Sequence, residues 1–160
     1  YGACKLSCEH LCNVYKSLKS LKVNIIRPCA IVGGELTHGL LFDIQRKLKS
    51  DSETLNLWGN EPGSTKPFVH VKDVCEWIKA CVLNDIPMPI NAFPTDSISV
   101  KEIAEISMEK LNIKKEIVWE SDKAWVGDNN IIDTSNQQMT FIKDSSKQAI
   151  ERMFEEKNET

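Results

Sequence analysis

Short runs of strand-forming residues alternate with stretches of helical period along this 160-residue chain, and that alternation admits few folds. Val23-Asn24-Ile25-Ile26, Leu55-Asn56-Leu57-Trp58, Phe68-Val69-His70-Val71, Ile90-Asn91-Ala92 and Ile117-Val118-Trp119 read as short strands. Ile131-Ile132 suggests one more. Leu6, Leu11, Val14 and Leu18 recur at helical spacing and predict a helix over residues 1–20. Leu41, Ile44 and Leu48 do the same for Leu40 to Leu48. A third helix is expected to run to about Leu83, with Asp73 at its start, where a carboxylate suits the helix dipole. Ser99 followed three residues later by Glu102 is a capping box, and it opens a helix to Leu111. A last helix is expected over 144–157. Strands and helices taking turns in this way define an α/β chain.

At 41% hydrophobic and 27% charged residues, the composition is that of a globular protein with a real core. The apolar runs are too short to span a bilayer, so no membrane span is expected, and the thiol content considered below sets the expected location as cytoplasmic. The net charge is −3, and the densest basic cluster, Lys16, Lys19 and Lys22, closes a helix, so nucleic acid is not the expected partner. An anionic ligand would need local cations. Of the six cysteines, Cys4, Cys8 and Cys12 lie four apart on one helix, and no Cys-x-x-Cys or zinc-spaced His pair occurs. Buried thiols in a reducing compartment are expected, with no metal. The chain lacks an initiating Met and its first residue already lies in a helical pattern, so a piece of a longer polypeptide is expected.

Tyr1-Gly2-Ala3-Cys4-Lys5 sets a phenol and an ammonium four residues apart, on one helical face. A free tyrosine titrates near 10, and bringing such a group to neutrality takes about 4 kcal/mol, which a neighbouring cation helps to supply. The same pattern recurs at Tyr15 and Lys19, so spacing alone does not choose between them. Context does. The first pair continues through Cys8-Glu9 and a full helix into a strand that ends at Arg27-Pro28.

Further segments follow in order: Arg27-Pro28-Cys29-Ala30-Ile31-Val32-Gly33, Thr37-His38-Gly39-Leu40-Leu41-Phe42-Asp43, Leu57-Trp58-Gly59-Asn60, Lys66-Pro67-Phe68-Val69-His70-Val71-Lys72-Asp73-Val74, Ser99-Val100-Lys101-Glu102-Ile103-Ala104 and Trp125-Val126-Gly127-Asp128. Together they resemble the C-terminal half of the NAD-dependent epimerase/dehydratase family of extended short-chain dehydrogenase/reductases, the UDP-glucose 4-epimerase-like branch. The resemblance implies the C-terminal portion of a Rossmann-like doubly wound parallel sheet plus a small α/β substrate-binding lobe. All 160 residues would belong to this partial domain, with the glycine-rich dinucleotide-binding half absent.

What the resemblance implies for single residues is specific. Tyr1 would be the catalytic acid/base, and Lys5 would hold the nicotinamide ribose and favour the ionised phenol. Pro28 would lie against the nicotinamide end of NAD. For the nucleotide-diphosphate sugar, Gly39 and Leu40 would lie beside the diphosphate, Trp58 beside the base, Lys66 on a phosphate and Asp128 on the ribose. Trp58 reads equally well as a core aromatic. Asp73 reads as a helix-start residue and His70 as a packed one. The family's first helix would serve a homodimer, with Leu11, Val14 and Leu18 as its contact.

Ala30 stands where the family has Asn, and Lys66-Pro67 where it has Arg-Asp, which exchanges a bidentate fork for a point charge. No Gly-x-x-Gly-x-x-Gly occurs. The expectation is therefore an enzyme piece with inherited chemistry, exposed apolar helix faces and no NAD binding or turnover of its own. Alternatives are an NADP-dependent reductase of the same superfamily and a non-catalytic nucleotide-sugar-binding relative.

Overall fold

The computed structural model describes residues 1–34, 36–86, 89–123 and 142–157. Its elements in chain order are α1 (Gly2–Lys19), β1 (Ile26–Pro28), β2 (Ala30–Val32), α2 (Leu40–Leu48), β3 (Thr54–Trp58), β4 (Thr65–Lys66), β5 (Phe68–His70), α3 (Val71–Leu83), β6 (Ile90–Ala92), β7 (Ile98–Ser99), α4 (Val100–Leu111), β8 (Glu116–Glu120) and α5 (Ser146–Lys157). The chain is α/β. Among the described residues the strands form four pairs: β1 with β6, β2 with β5 and β3 with β8 run parallel, and β4 with β7 antiparallel. Parallel pairing requires a crossover, and helices in the intervening sequence provide it.

Capping chemistry sets several boundaries. Ser99 Oγ accepts from the Glu102 N–H, and the Glu102 carboxylate accepts from the Ser99 N–H, closing the box expected at α4. Ser145 and Gln148 repeat that reciprocal arrangement at the start of α5, so this helix begins two residues later than its periodicity implied. At α3 the cap is His70, whose Nδ1 accepts from the Lys72 N–H at 3.3 Å. Asp73 is thus not the cap. It lies in the first turn with a buried carboxylate, 3.3 Å from Arg152 Nη1 of α5.

The first strand also departs from expectation. It starts at Ile26 instead of Val23 and takes in Arg27 and Pro28, because register with Ile90, Asn91 and Ala92 begins there. Asn24 instead donates its amide to the Cys81 carbonyl at 3.0 Å. β2, β4 and β7, each two or three residues long, were not legible as strands in the sequence.

Two apolar clusters hold the elements. The larger joins Ile44 and Leu48 of α2, Leu55 of β3, Ile103 of α4, and Ile150 and Met153 of α5, all buried. The smaller centres on Trp77 of α3, fully buried against Val69, Cys81 and Ile90. Burying each side chain of this size contributes about 1.5–3 kcal/mol. Helix α1 contributes nothing to either cluster, since none of its residues is buried. Leu6, Leu11, Val14, Leu18 and the nearby Leu21 are exposed, as expected for the first helix. The thiols depart from expectation: Cys4 and Cys8 are exposed on α1, as is Cys75 on α3, and only Cys81 is buried. Among the described residues no helix is long and apolar enough to cross a membrane, and no group of three His, Cys, Asp or Glu side chains is placed to hold a metal ion.

Candidate active site

Tyr1 occupies the N-cap position of α1, and its carbonyl accepts the Lys5 N–H at 3.1 Å, closing the first helical turn. One turn of helix brings the two side chains together. Lys5 Nζ lies 5.3 Å from the centroid of the Tyr1 ring. The ring itself is open to solvent, 95% exposed. Both residues line a cleft of about 680 Å³ between the first half of α1 and residues 24–28. Pro28 lines the same cleft from β1. Sequence reasoning named these three residues, and the fold brings them together.

A fourth and fifth residue of the cleft escaped that reasoning. Arg27 donates through Nε to Glu9 Oε1 at 2.8 Å and through Nη2 to Glu9 Oε2 at 2.5 Å, a bidentate fork across the cleft. The Arg27 guanidinium, chiefly by these hydrogen bonds, holds the Glu9 carboxyl below the usual carboxylate range. Glu9 follows Lys5 as Lys5 follows Tyr1, four residues on, so all three share a face. That spacing was the available signal; its partner Arg27, 18 residues away, was not readable from it.

The second Tyr-Lys pair lies beyond Cys12, the last α1 residue of the lining. Of the two pairs, the first lines this cleft.

The remaining sequence-selected residues sit elsewhere. Gly39 and Leu40 begin α2, where Gly39 takes φ +92°, the left-handed region that favours glycine. Trp58 ends β3 and is 57% exposed, so it is no core aromatic. Lys66 lies on β4 opposite Ile98, with its ammonium 5.5 Å from the Phe68 ring centroid, and burial pushes its pKa down. None of these four lines the cleft at Tyr1. Asp128, with Trp125 and Gly127, lies outside the described residues, as does Ile131-Ile132.

His70 is fully buried, and burial holds its pKa below the ordinary imidazole value, which keeps the ring neutral as a helix cap. Its Nε2 is 3.4 Å from Glu156 of α5. Arg152 bridges Asp73 and Asp144, the latter at 2.8 Å, so this polar cluster ties α5 to the start of α3. His70 and Asp73 are packed residues.

Comparison with known proteins decides the family. The family model for the NAD dependent epimerase/dehydratase family matches residues 1–91, more than half of the sequence. The chain belongs to that family. Those matched residues run from Tyr1 through the cleft and α3 to β6. No curated protein matches the sequence. Among solved structures, a UDP-galactose 4-epimerase aligns with a TM-score of 0.77 at 24% identity, over 99% of this chain and 53% of its own. The UDP-glucose 4-epimerase of Thermus thermophilus, solved with NAD, aligns at 0.75 and 18% identity, over 97% of this chain and 52% of its own. An NAD dependent NDP-hexosamine 5,6-dehydratase involved in tunicamycin biosynthesis aligns at 0.76 and 18% identity, over 100% and 54%. At such identities the match establishes the Rossmann-like epimerase fold. The chain spans about half the length of these structures.

Proposed function

We propose that this chain is the C-terminal part of an NAD-dependent nucleotide-sugar epimerase or dehydratase, comprising the end of the nucleotide-binding sheet and the substrate-binding lobe. The observation that carries the reading is the pairing of Tyr1 and Lys5 in one cleft with Pro28. The residues fit the reactive end of the cofactor. A cleft of about 680 Å³ is of the size that holds small ligands, and a cation and a phenol face it from one wall. Lys5 would hold the nicotinamide ribose, and Pro28 would pack against the ring.

In this reading Tyr1 is the acid/base that takes the proton of a sugar hydroxyl and later returns it, with the Lys5 ammonium beside its ring one helical turn on. When bound, NAD would supply reversible hydride transfer at the sugar carbon, with no net reductant consumed. Gly39, Leu40, Trp58, Lys66 and Asp128 would hold the nucleotide diphosphate. A phosphate beside Lys66 would offset the burial that disfavours its charge. The exposed apolar stripe of α1, with Leu11 58% and Leu18 74% exposed, would serve a homodimer of the full-length protein.

The test is turnover of a UDP-hexose panel (UDP-glucose, UDP-N-acetylglucosamine, UDP-glucuronic acid) by the full-length protein with NAD. Tyr1→Phe is expected to abolish turnover while sugar binding persists, and the isolated chain to show neither turnover nor NAD binding by calorimetry. Full turnover in Tyr1→Phe, or tight NAD binding by the isolated chain, would refute the reading.

A further inference from the structure

We propose that Glu9 is a positioning residue for Tyr1, acting through its fork with Arg27; this rests on the reading of Tyr1 given above. Helix α1 is weakly fixed by the usual means. It buries no residue and its N-cap residue makes no side-chain capping bond. Of its residues only Glu9 and Cys12 are half-buried in this chain. The Glu9–Arg27 fork bears on the height and rotation of the helix over β1, because two parallel hydrogen bonds constrain direction as well as distance.

Position makes the fork relevant to the chemistry. Arg27 is the immediate neighbour of Pro28 on β1, the strand that forms the opposite wall of the cleft. Glu9 stands on the same face of α1 as Lys5 and Tyr1, two turns along, a rise of about 12 Å from Tyr1. The fork thus links the helix bearing the acid/base directly to the strand bearing its counterpart. Letting α1 pivot about its far end would move Tyr1 by more than it moves Glu9. Misplacement of a reacting group by about 1 Å can cost on the order of 100-fold in rate.

Stability and catalysis should separate. The Glu9 side chain is 20% exposed and that of Arg27 43%, so solvent screens part of what the pair contributes to folding. A fork that only decorated the surface would leave both properties alone, and one that only held the fold together would lower melting temperature and activity in step.

The experiment uses the full-length protein with NAD and the same UDP-hexose panel. Glu9→Ala is expected to lower kcat by about 10- to 100-fold, with sugar KM within about twofold and the melting curve nearly unmoved. Glu9→Gln, which keeps one acceptor, should fall between Glu9→Ala and wild type. The exchange Glu9→Arg with Arg27→Glu rebuilds the fork in reverse and should recover several-fold over either single change. A Glu9→Ala protein with wild-type kcat, alongside a dead Tyr1→Phe, would overturn the positioning role and leave the function standing. An active Tyr1→Phe would overturn both. Loss of kcat in proportion to loss of folded protein, or an exchange variant no better than the singles, would overturn the positioning role.

Discussion

Replacing Gly33 with Ala puts a methyl group where the fold has no room for one. A Cβ built there would stand 2.5 Å from Val71 Cγ1 and 3.1 Å from His70 Nε2, both at the junction of β5 and α3. The backbone adds a second cost, since Gly33 has φ +131°, a region L side chains rarely adopt. Strain of this kind costs about 1–3 kcal/mol, and overpacking against a buried neighbour about 1–3 kcal/mol more. Gly33→Ala is therefore expected to destabilise by about 2–6 kcal/mol. Gly34 provides an internal control. Its φ is +59°, and a Cβ there meets nothing within 4 Å, so Gly34→Ala should cost only the backbone strain of about 1–2 kcal/mol. Urea unfolding followed by tryptophan fluorescence reads the difference, because fully buried Trp77 lies on the helix that begins at Val71. Val71→Ala removes the clashing methyl. In a double-mutant cycle it should recover part of the Gly33→Ala loss and none of the Gly34→Ala loss. Equal costs at the two glycines, or no coupling to Val71, would refute the steric account.

Two further expectations concern the α4 cap and the face of α1. Ser99, through its hydroxyl and then its N–H, holds the Glu102 carboxyl below its ordinary value of 4.5. A depressed folded-state pKa means that the pair stabilises the protein above the unfolded value and is lost as pH falls through the folded one. Ser99→Ala should thus cost about 1 kcal/mol at neutral pH, and its penalty should shrink below pH 4.5; a penalty independent of pH would show that the box is not ionic. On α1, Leu11→Ser with Leu18→Ser should leave monomer stability within about 0.5 kcal/mol, because neither side chain is buried. Sedimentation of the full-length protein should show a shift from dimer to monomer; an unaltered dimer would place the contact elsewhere.

Elements whose causes are local were legible. The capping box at Ser99 and Glu102 lies within four residues, and the period of Leu41, Ile44 and Leu48 within three turns, so α4 and α2 begin and end where the sequence says. β1 was displaced because its ends are chosen by Ile90, Asn91 and Ala92, more than sixty residues on. Asp73 lies in the first turn of α3, a role that needs only neighbours and was legible; its partner Arg152, 79 residues distant, was not. Trp58 was ambiguous because an aromatic residue at a strand end takes either role, and only the packing around β3 leaves it open to solvent.

The same division runs through the site. Spacing along one helix determined that Tyr1, Lys5 and Glu9 share a face, since a period of 3.6 residues permits nothing else once α1 forms. It could not say what that face looks at, nor choose between Tyr1 and Tyr15 on spacing alone. The connection from α1 to β1 gives that face its neighbours, laying Arg27 and Pro28 against the first half of the helix so that Tyr1, Lys5 and Glu9 form one wall of a cleft. Helical period acts over a few residues and is written in each of them, whereas the meeting of helix and strand depends on the packing of the whole chain.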